Sequence, residues 1–391
     1  MIIAGGEWQV PIIRKAKELG YYVINTNLYA DSPGFEYADI GLVANVLDKK
    51  RNLEIAQQYK PDAIITDQSD IAVPTVAFLC ESLGLPGIGI RTAELFTNKH
   101  AMRTFCKENC FPAPLFKLCS TPDEIVEFAG KVGYPLVIKP PSNQSSRGVH
   151  KIKAEHEIPD KYADALTHSS DGCILAEEFI DGPEFTVEGF KANDRAYSLA
   201  ISRKQHYSHA EMVASSLLYS LSDPQYDYEE LRSLNEKLTE MMQLPFGITH
   251  AEYKHYRGQF YLIEIAARGG GTKISSHIIP EMSGVDVNEL LIRYASGETV
   301  NTINPMKKDL YVILDFFLFP PGEVKEIQGI DWLSGNQSII DYGLNFKVGD
   351  ILSPPADDRA RHGYYIARAD TRADLHMLSS DIKRKVCLLY G

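Results

Sequence analysis

Two carboxylates, Glu252 and Glu264, sit symmetrically about Gly258. The stretch that holds them, 247–272, alternates in polarity and is rich in Tyr, Phe and Ile, as a half-buried hairpin should be. An odd-length loop, Arg257-Gly258-Gln259, sets the two carboxylates opposite each other on one face. A two-residue Arg257-Gly258 turn sends Glu264 to the other face. Like charges directly opposed in a sheet destabilise it. A chain that keeps them together needs a cation between them, and hard divalent cations prefer oxygen ligands. Arg268 and Gly269-Gly270-Gly271 follow at once, a cation and bare backbone that suit a phosphate. The plain alternative is two exposed glutamates on a surface hairpin.

Other stretches carry related chemistry. The run 141–149, Pro-Ser-Asn-Gln-Ser-Ser-Arg-Gly-Val, is small and polar, and follows the apolar strand Leu136-Val137-Ile138 and Lys139-Pro140. Such a loop folds over phosphates through backbone N–H groups, or is an ordinary hairpin loop. Glu177-Glu178-Phe179-Ile180 continues a strand from Ile174, Asp181-Gly182-Pro183 breaks it, and Glu184 restarts alternation. A backbone hinge followed by a carboxylate suits an adenosine, with main-chain groups reading the base edge and the carboxylate taking ribose hydroxyls. Alone, the same pattern reads as a β-hairpin with solvated glutamates. His206-x-x-His209 lacks a helical His-Glu-x-x-His frame or a cysteine partner, so it is not expected to hold metal. Gly5-Gly6 lacks the third spaced glycine of a dinucleotide fingerprint and reads as a tight turn.

The elements that must position these residues follow from periodicity. Residues 1–95 alternate strand and helix: strands over 1–4, 21–26, 40–44, 61–66 and after Pro86, with helices from Val10, over 51–58 and over 71–82. This is a parallel, doubly wound pattern. The pattern changes around 91–98. Helices are then expected at 99–109, 122–132, 227–242 and 284–296, and beyond Lys307 the chain turns β-rich, with strands at 311–319, 323–327 and 338–348 and a terminal helix over 374–390.

The bulk properties set limits. A chain of 391 residues suggests two or three domains with ample core. Composition is ordinary for a globular protein, 44% hydrophobic, 24% charged and 10% aromatic. A net charge of -12 and a pI near 5.4, with no basic tract, argue against nucleic-acid binding. No apolar run approaches the roughly 20 residues that span a bilayer, so no membrane is expected. The first residues enter a strand directly, without a basic n-region or cleavage-like site, so export is not expected. Cys80, Cys106, Cys110, Cys119, Cys173 and Cys387 form no Cys-x-x-Cys pair and read as thiols in a reducing cytoplasm.

Taken in order, the motifs resemble those of ATP-grasp ligases, in the branch that includes L-amino-acid ligases, carbamoyl-phosphate-synthase-like proteins and purine-pathway carboxylate ligases. The resemblance covers most of the chain: Asn98-Lys99 at a domain junction, Tyr134 to Pro140, Ser145 to Val149, Glu177 to Ile180 with Glu184, and Glu252 with Glu264-x-x-x-Arg268. It implies an α/β fold: a doubly wound parallel αβ domain over 1–95, an ATP-grasp domain over 96–305 with a mobile lid at about 112–190, and a β-rich α+β portion over 306–391.

The resemblance also implies roles. Lys99 and Lys139 reach the nucleotide phosphates, and the loop at Ser146 and Gly148 closes over them. Glu177, Glu178, Phe179 and Ile180 line the adenine, and Glu184 holds the ribose. Glu252 and Glu264 bind Mg2+ (Mn2+ is the alternative ion), and Arg268 stabilises the transferring phosphoryl group. Asp70, Gly270, Gly271 and His277 are substrate candidates, with structural hydrogen bonding the other reading of Asp70 and His277. One position departs from the pattern: the further Asn ligand expected two residues after Glu264 is Ala266. The implied function is an ATP-dependent carboxylate–amine ligase that makes an amide or peptide bond through an acyl phosphate, with an amino-acid substrate. Its partners are then a small-molecule carboxylate and amine, and its assembly a homodimer. The alternatives are a non-catalytic ATP-binding sensor or scaffold, motivated by Ala266, and a ligase with a non-amino-acid acceptor.

Overall fold

The structure, a computed structural model, describes residues 1–142, 147–298, 300 and 302–391. Three short parallel strands, Ile2–Ile3, Ile24–Asn27 and Ile40–Val43, open the chain. Helix Val10–Glu18 packs on them through Ile12, Ile13 and Ala16. Helix Lys49–Tyr59 starts where the Asp48 carboxylate accepts from the Arg51 N–H, an N-cap, and ends at left-handed Lys60. The expected strand at 61–66 joins only through a single bridge from Ile65 to Ile2. The strand expected after Pro86 is absent. Pro86 has no N–H to donate to a ladder, a Cβ on Gly87 would meet Cys80 Cβ at 2.6 Å, and helix Ile90–Thr97 begins at once.

Two antiparallel sheets follow. One has four strands in the order Phe116–Cys119, Ile174–Glu178, Leu136–Lys139, His150–Ile152. Helices Pro122–Val132 and Ile158–Thr167 cover it around Ile125, Phe128 and Ile138. The other has eight strands, in the order Gln259–Ala266, Gly247–Tyr256, Glu184–Ala192, Arg195–Tyr207, Ala210–Tyr219, Tyr311–Phe316, Gly363–Ala369 and Ile339–Leu344. The hairpin reading of 174–188 is thereby corrected: Ile174–Glu178 and Glu184–Ala192 belong to different sheets, and the Asp181-Gly182-Pro183 break carries the chain between them.

Alternation divides the large sheet into two faces. Phe185, Val187, Ala251, Tyr253 and Ile265 pack one face in a cluster with Leu231 and Leu238 of helix Tyr228–Met241. The opposite face carries Glu184, Thr186, Glu188, His250, Glu252 and Glu264. Near the end of the chain, the helix expected over 374–390 stops at Lys385, and Cys387–Tyr390 pairs with Gly322–Gln328 as a strand. A short apolar tail has no period of its own to separate helix from strand; here the exposed edge of Gly322–Gln328 decides. Among the described residues, no helix is long and apolar enough to cross a membrane.

Candidate active site

The hairpin resolves its own register problem. Tyr256 pairs with Gln259, so the turn is the two-residue Arg257-Gly258, with φ of 50° and 80°. That pair of positive φ values fits a twisted two-residue hairpin turn. Uninterrupted, this ladder would set Ile263 against Glu252. A bulge between Tyr253–Leu262 and Glu252–Glu264 absorbs Ile263 and places the two glutamates opposite each other. The same bulge turns Ile263 into the cleft. The Ile263 carbonyl accepts from Arg103 Nη2 at 2.5 Å.

Pairing across the sheet then lines up Glu264, Glu252, Thr186 and Ser202 in one row. Each carboxylate has a cation beside it. Lys204 Nζ lies 2.5 Å from both Glu184 Oε1 and Glu252 Oε1. Lys99 Nζ lies 2.9 Å from Glu264 Oε1. His250 meets the fully buried Glu188 at 2.9 Å and approaches Glu252 at 3.6 Å. Burial alone would raise the Glu252 carboxyl, but Lys204 and His250 hold it well below the usual carboxylate range. Glu184 is lowered in the same way, against burial, by Lys204 and His206. Burial would lower Lys204, yet its two carboxylates keep it above the ordinary lysine range. Glu184, Glu252 and Lys204 thus favour one another's charged forms.

Lys139 and Glu177 form a second buried group. Lys139 Nζ is 2.7 Å from Glu177 Oε2, and Arg103 Nε is 2.8 Å from Glu177 Oε1. Burial pushes Lys139 below its ordinary range despite Glu177. Burial opposes ionisation of Glu177, and Arg103 with Lys139 overcomes it. The Phe179 ring is flanked by Lys151 Nζ at 4.2 Å and Lys254 Nζ at 4.8 Å. Gly148 takes φ 69° and a Cβ there would press on His168. Ser146 lies outside the described residues.

One cleft of about 590 Å³ is lined by Lys99, Lys139, Glu177 to Ile180, Glu184, Glu252, Glu264, Arg268, Asp70 and Gly271. Gly148, Gly270 and His277 are not among its lining residues. Arg268 donates to both Asp70 oxygens, from Nε at 2.8 Å and Nη2 at 2.6 Å. Beside it the buried Asp67 carboxylate accepts from Gly269 N at 2.8 Å and Ser275 Oγ at 2.6 Å, which fixes the glycine loop. A Cβ on Gly270 would meet His250 Nδ1 at 2.9 Å, so that residue packs under the site. His277 Nδ1 pairs with Ser276 Oγ at 2.8 Å.

Four residues in this arrangement were not singled out from the sequence: Lys204, His250, Arg103 and Asp67. Arg103 had a signal, since it stands four residues after Lys99 on helix Lys99–Glu108 and so shares its face. Lys204 and Asp67 are long-range partners with no local mark.

The donor set fits a hard divalent cation that brings other oxygens with it. Among the described residues no group of three or more His, Cys, Asp or Glu could hold a metal. Mg2+ is commonly held by one or two carboxylates plus substrate phosphates, and Glu252 with Glu264 offers two. Ala266, paired with His250 and buried, adds no ligand.

Residues 132–276 match the ATP-grasp domain, and residues 315–388 match the L-amino acid ligase C-terminal domain 2. The L-arginine-specific L-amino acid ligase of Bacillus subtilis is 24% identical over 360 residues, 88% of this chain and 84% of that protein. The formate-dependent phosphoribosylglycinamide formyltransferase of Prochlorococcus marinus is 28% identical over 196 residues, 48% of this chain and 49% of that protein, so the chain spans about half of that relative. The crystal structure of the L-amino acid ligase from Bacillus licheniformis superposes with a TM-score of 0.83 at 20% identity, covering 100% of this chain and 98% of that one, which shows a common fold. The chain therefore carries an ATP-grasp domain followed by an L-amino acid ligase C-terminal domain.

Proposed function

We propose that this protein is an ATP-dependent carboxylate–amine ligase that forms an amide or peptide bond through an acyl phosphate, with an amino acid among its substrates. The observation that carries the reading is the register of Glu252 against Glu264 across a bulge, in a cleft that also holds Lys99, Lys139 and Arg268. The matching domains and the ligases among the relatives support the same chemistry.

In this reading ATP lies along the cleft. The hinge at Glu177 to Ile180 reads the base, Glu184 takes the ribose, and Lys99 and Lys139 meet the phosphates. Mg2+, or Mn2+ in its place, is held by Glu252 and Glu264 and neutralises charge on the phosphate oxygens. A substrate carboxylate oxygen attacks the γ-phosphorus, the bond to ADP breaks, and an acyl phosphate forms. The amine nitrogen then attacks the acyl carbon. The C–N bond forms, the C–O bond to phosphate breaks, and the amine gives up a proton. Arg268 faces the charge that builds on the phosphoryl group in both steps. Positioned cations matter more than a protein nucleophile for such chemistry. Gly271 and Asp70 face the carboxylate end of the cleft. Small-molecule substrates, a homodimer and a cytoplasmic setting complete the reading, the last in keeping with cysteines that are all free.

A phosphate-release screen over paired amino acids and other carboxylates tests it. Release that needs both a carboxylate and an amine, and that falls by about 100-fold or more in Glu264→Gln, is the expected result. Calorimetric binding of MgATP with no turnover across the screen would instead identify the sensor that Ala266 suggests.

A further inference from the structure

The Arg103 side chain is fully buried, with no exposure at all. It touches two parts of the site at once. Nη2 donates to the Ile263 carbonyl, the bulged residue, and Nε lies against Glu177, which in turn holds Lys139. Its helix neighbour one turn earlier, Lys99, grips the next residue, Glu264. One face of a single helix therefore holds two consecutive residues of the bulge, one by its backbone and one by its carboxylate.

Stability alone is a poor reason for this residue. A buried ion pair often adds nothing over an apolar pair of the same volume. Arg103 Nη1 is also buried with no hydrogen-bond partner among the described residues, which opposes burial further. What Arg103 does supply is register. A bulge frees a carbonyl from the ladder and leaves the strand able to slip. A slip of one residue would set Ile263 against Glu252 and send Glu264 to the opposite face.

We propose that Arg103 is a positioning residue of the metal centre: it pins the bulge at Ile263 and thereby keeps Glu264 opposite Glu252. It also ties the hairpin to the four-stranded sheet through Glu177, so the metal carboxylates and the phosphate lysine Lys139 share one anchor. The inference rests on the reading of Glu252 and Glu264 as metal ligands.

The test measures Mn2+ affinity of the full chain by loss of the free-ion EPR signal, with a non-hydrolysable ATP analogue present, alongside analogue affinity without metal and melting temperature. Arg103→Lys keeps a charge beside Glu177 but cannot span both partners. Arg103→Gln removes the charge and is too short to reach both partners, and it leaves Glu177 paired with Lys139. In each, Mn2+ affinity is expected to fall by about ten-fold or more, while metal-free analogue binding changes little. Deleting Ile263 from the Arg103→Gln variant removes the bulge and restores the Glu252–Glu264 pair in a regular ladder. Most of the lost Mn2+ affinity should return, which no purely structural role predicts. If Arg103→Gln does not fold, Arg103→Lys carries the test. Unchanged Mn2+ affinity in Arg103→Lys overturns the proposal, as does a folded deletion variant that recovers none of the loss. Glu264→Gln is the control: if it leaves Mn2+ affinity of the otherwise unaltered chain untouched, the metal assignment itself has failed, and the proposal falls with it for that separate reason.

Discussion

Asp70 holds the Arg268 guanidinium by two parallel hydrogen bonds, 2.8 Å from Nε and 2.6 Å from Nη2, across 198 residues of sequence. Burial works against the Arg268 charge and Asp70 more than offsets it, raising the guanidinium above its ordinary range. Bidentate pairing fixes direction as well as charge. The N-terminal segment thereby aims the cation expected to meet the phosphoryl group. Asp70→Asn keeps the shape and loses the fork. Its kcat is expected to drop by about 100-fold, the scale of a small misplacement of a catalytic group, with nucleotide affinity unchanged. Steady-state kinetics with analogue binding checks this, and a normal kcat would return Asp70 to a substrate-contact role.

Lys204 separates two carboxylates that would otherwise repel. Lys204→Met leaves Glu184 and Glu252 buried without their shared cation. A loss of about 3–5 kcal/mol is the usual scale for breaking a buried ion pair. Because Mg2+ at Glu252 would replace the missing charge, the variant's melting temperature should rise more on adding MgATP than that of the unaltered protein. Equal shifts in both would argue that the metal does not share Glu252 with Lys204.

Gly270 and Gly271 differ in what lies beyond them. A Cβ at Gly270 would meet Ile274 Cδ1 at 2.8 Å and His250 Nδ1 at 2.9 Å, whereas at Gly271 it meets nothing within 4 Å. Gly270→Ala is expected to destabilise by about 1–3 kcal/mol through overpacking. Gly271→Ala should leave stability within about 0.5 kcal/mol and act only on substrate KM. Urea unfolding of the two variants, with kinetics of the second, separates these effects.

His277 is partly buried, and burial holds its pKa below the ordinary histidine value of 6.5. With a lowered folded value, the unfolded chain takes up the proton first as pH falls. The stabilisation from neutral His277 is therefore complete above pH 6.5 and declines as pH drops through that value. The urea midpoint measured at pH 7.5 and pH 5.5 should fall on acidification, and His277→Gln should flatten that part of the profile. An equal fall in the variant would place the acid sensitivity elsewhere.

The sequence alone carried the order of the chemistry. The two glutamates, the hinge from Glu177 to Ile180, the glycine run after Arg268 and the alternating αβ start are local patterns, and each follows from side-chain type and period. It also posed a definite demand, that Glu252 and Glu264 share a face only with an odd loop or an irregular strand. It did not decide which. A two-residue turn and a bulge leave the same letters in the chain, because a bulge is stabilised from outside the strand, here by Arg103 from a helix about 160 residues earlier. The terminal strand Cys387–Tyr390 escaped for a similar reason, since only its partner strand gives it a period. Lys204 between two carboxylates, Arg268 in the grip of Asp70 and Asp67 under the glycine loop are likewise matters of tertiary structure. Buried charges are placed by partners distant in sequence, and no local propensity reports on a partner that only folding brings near.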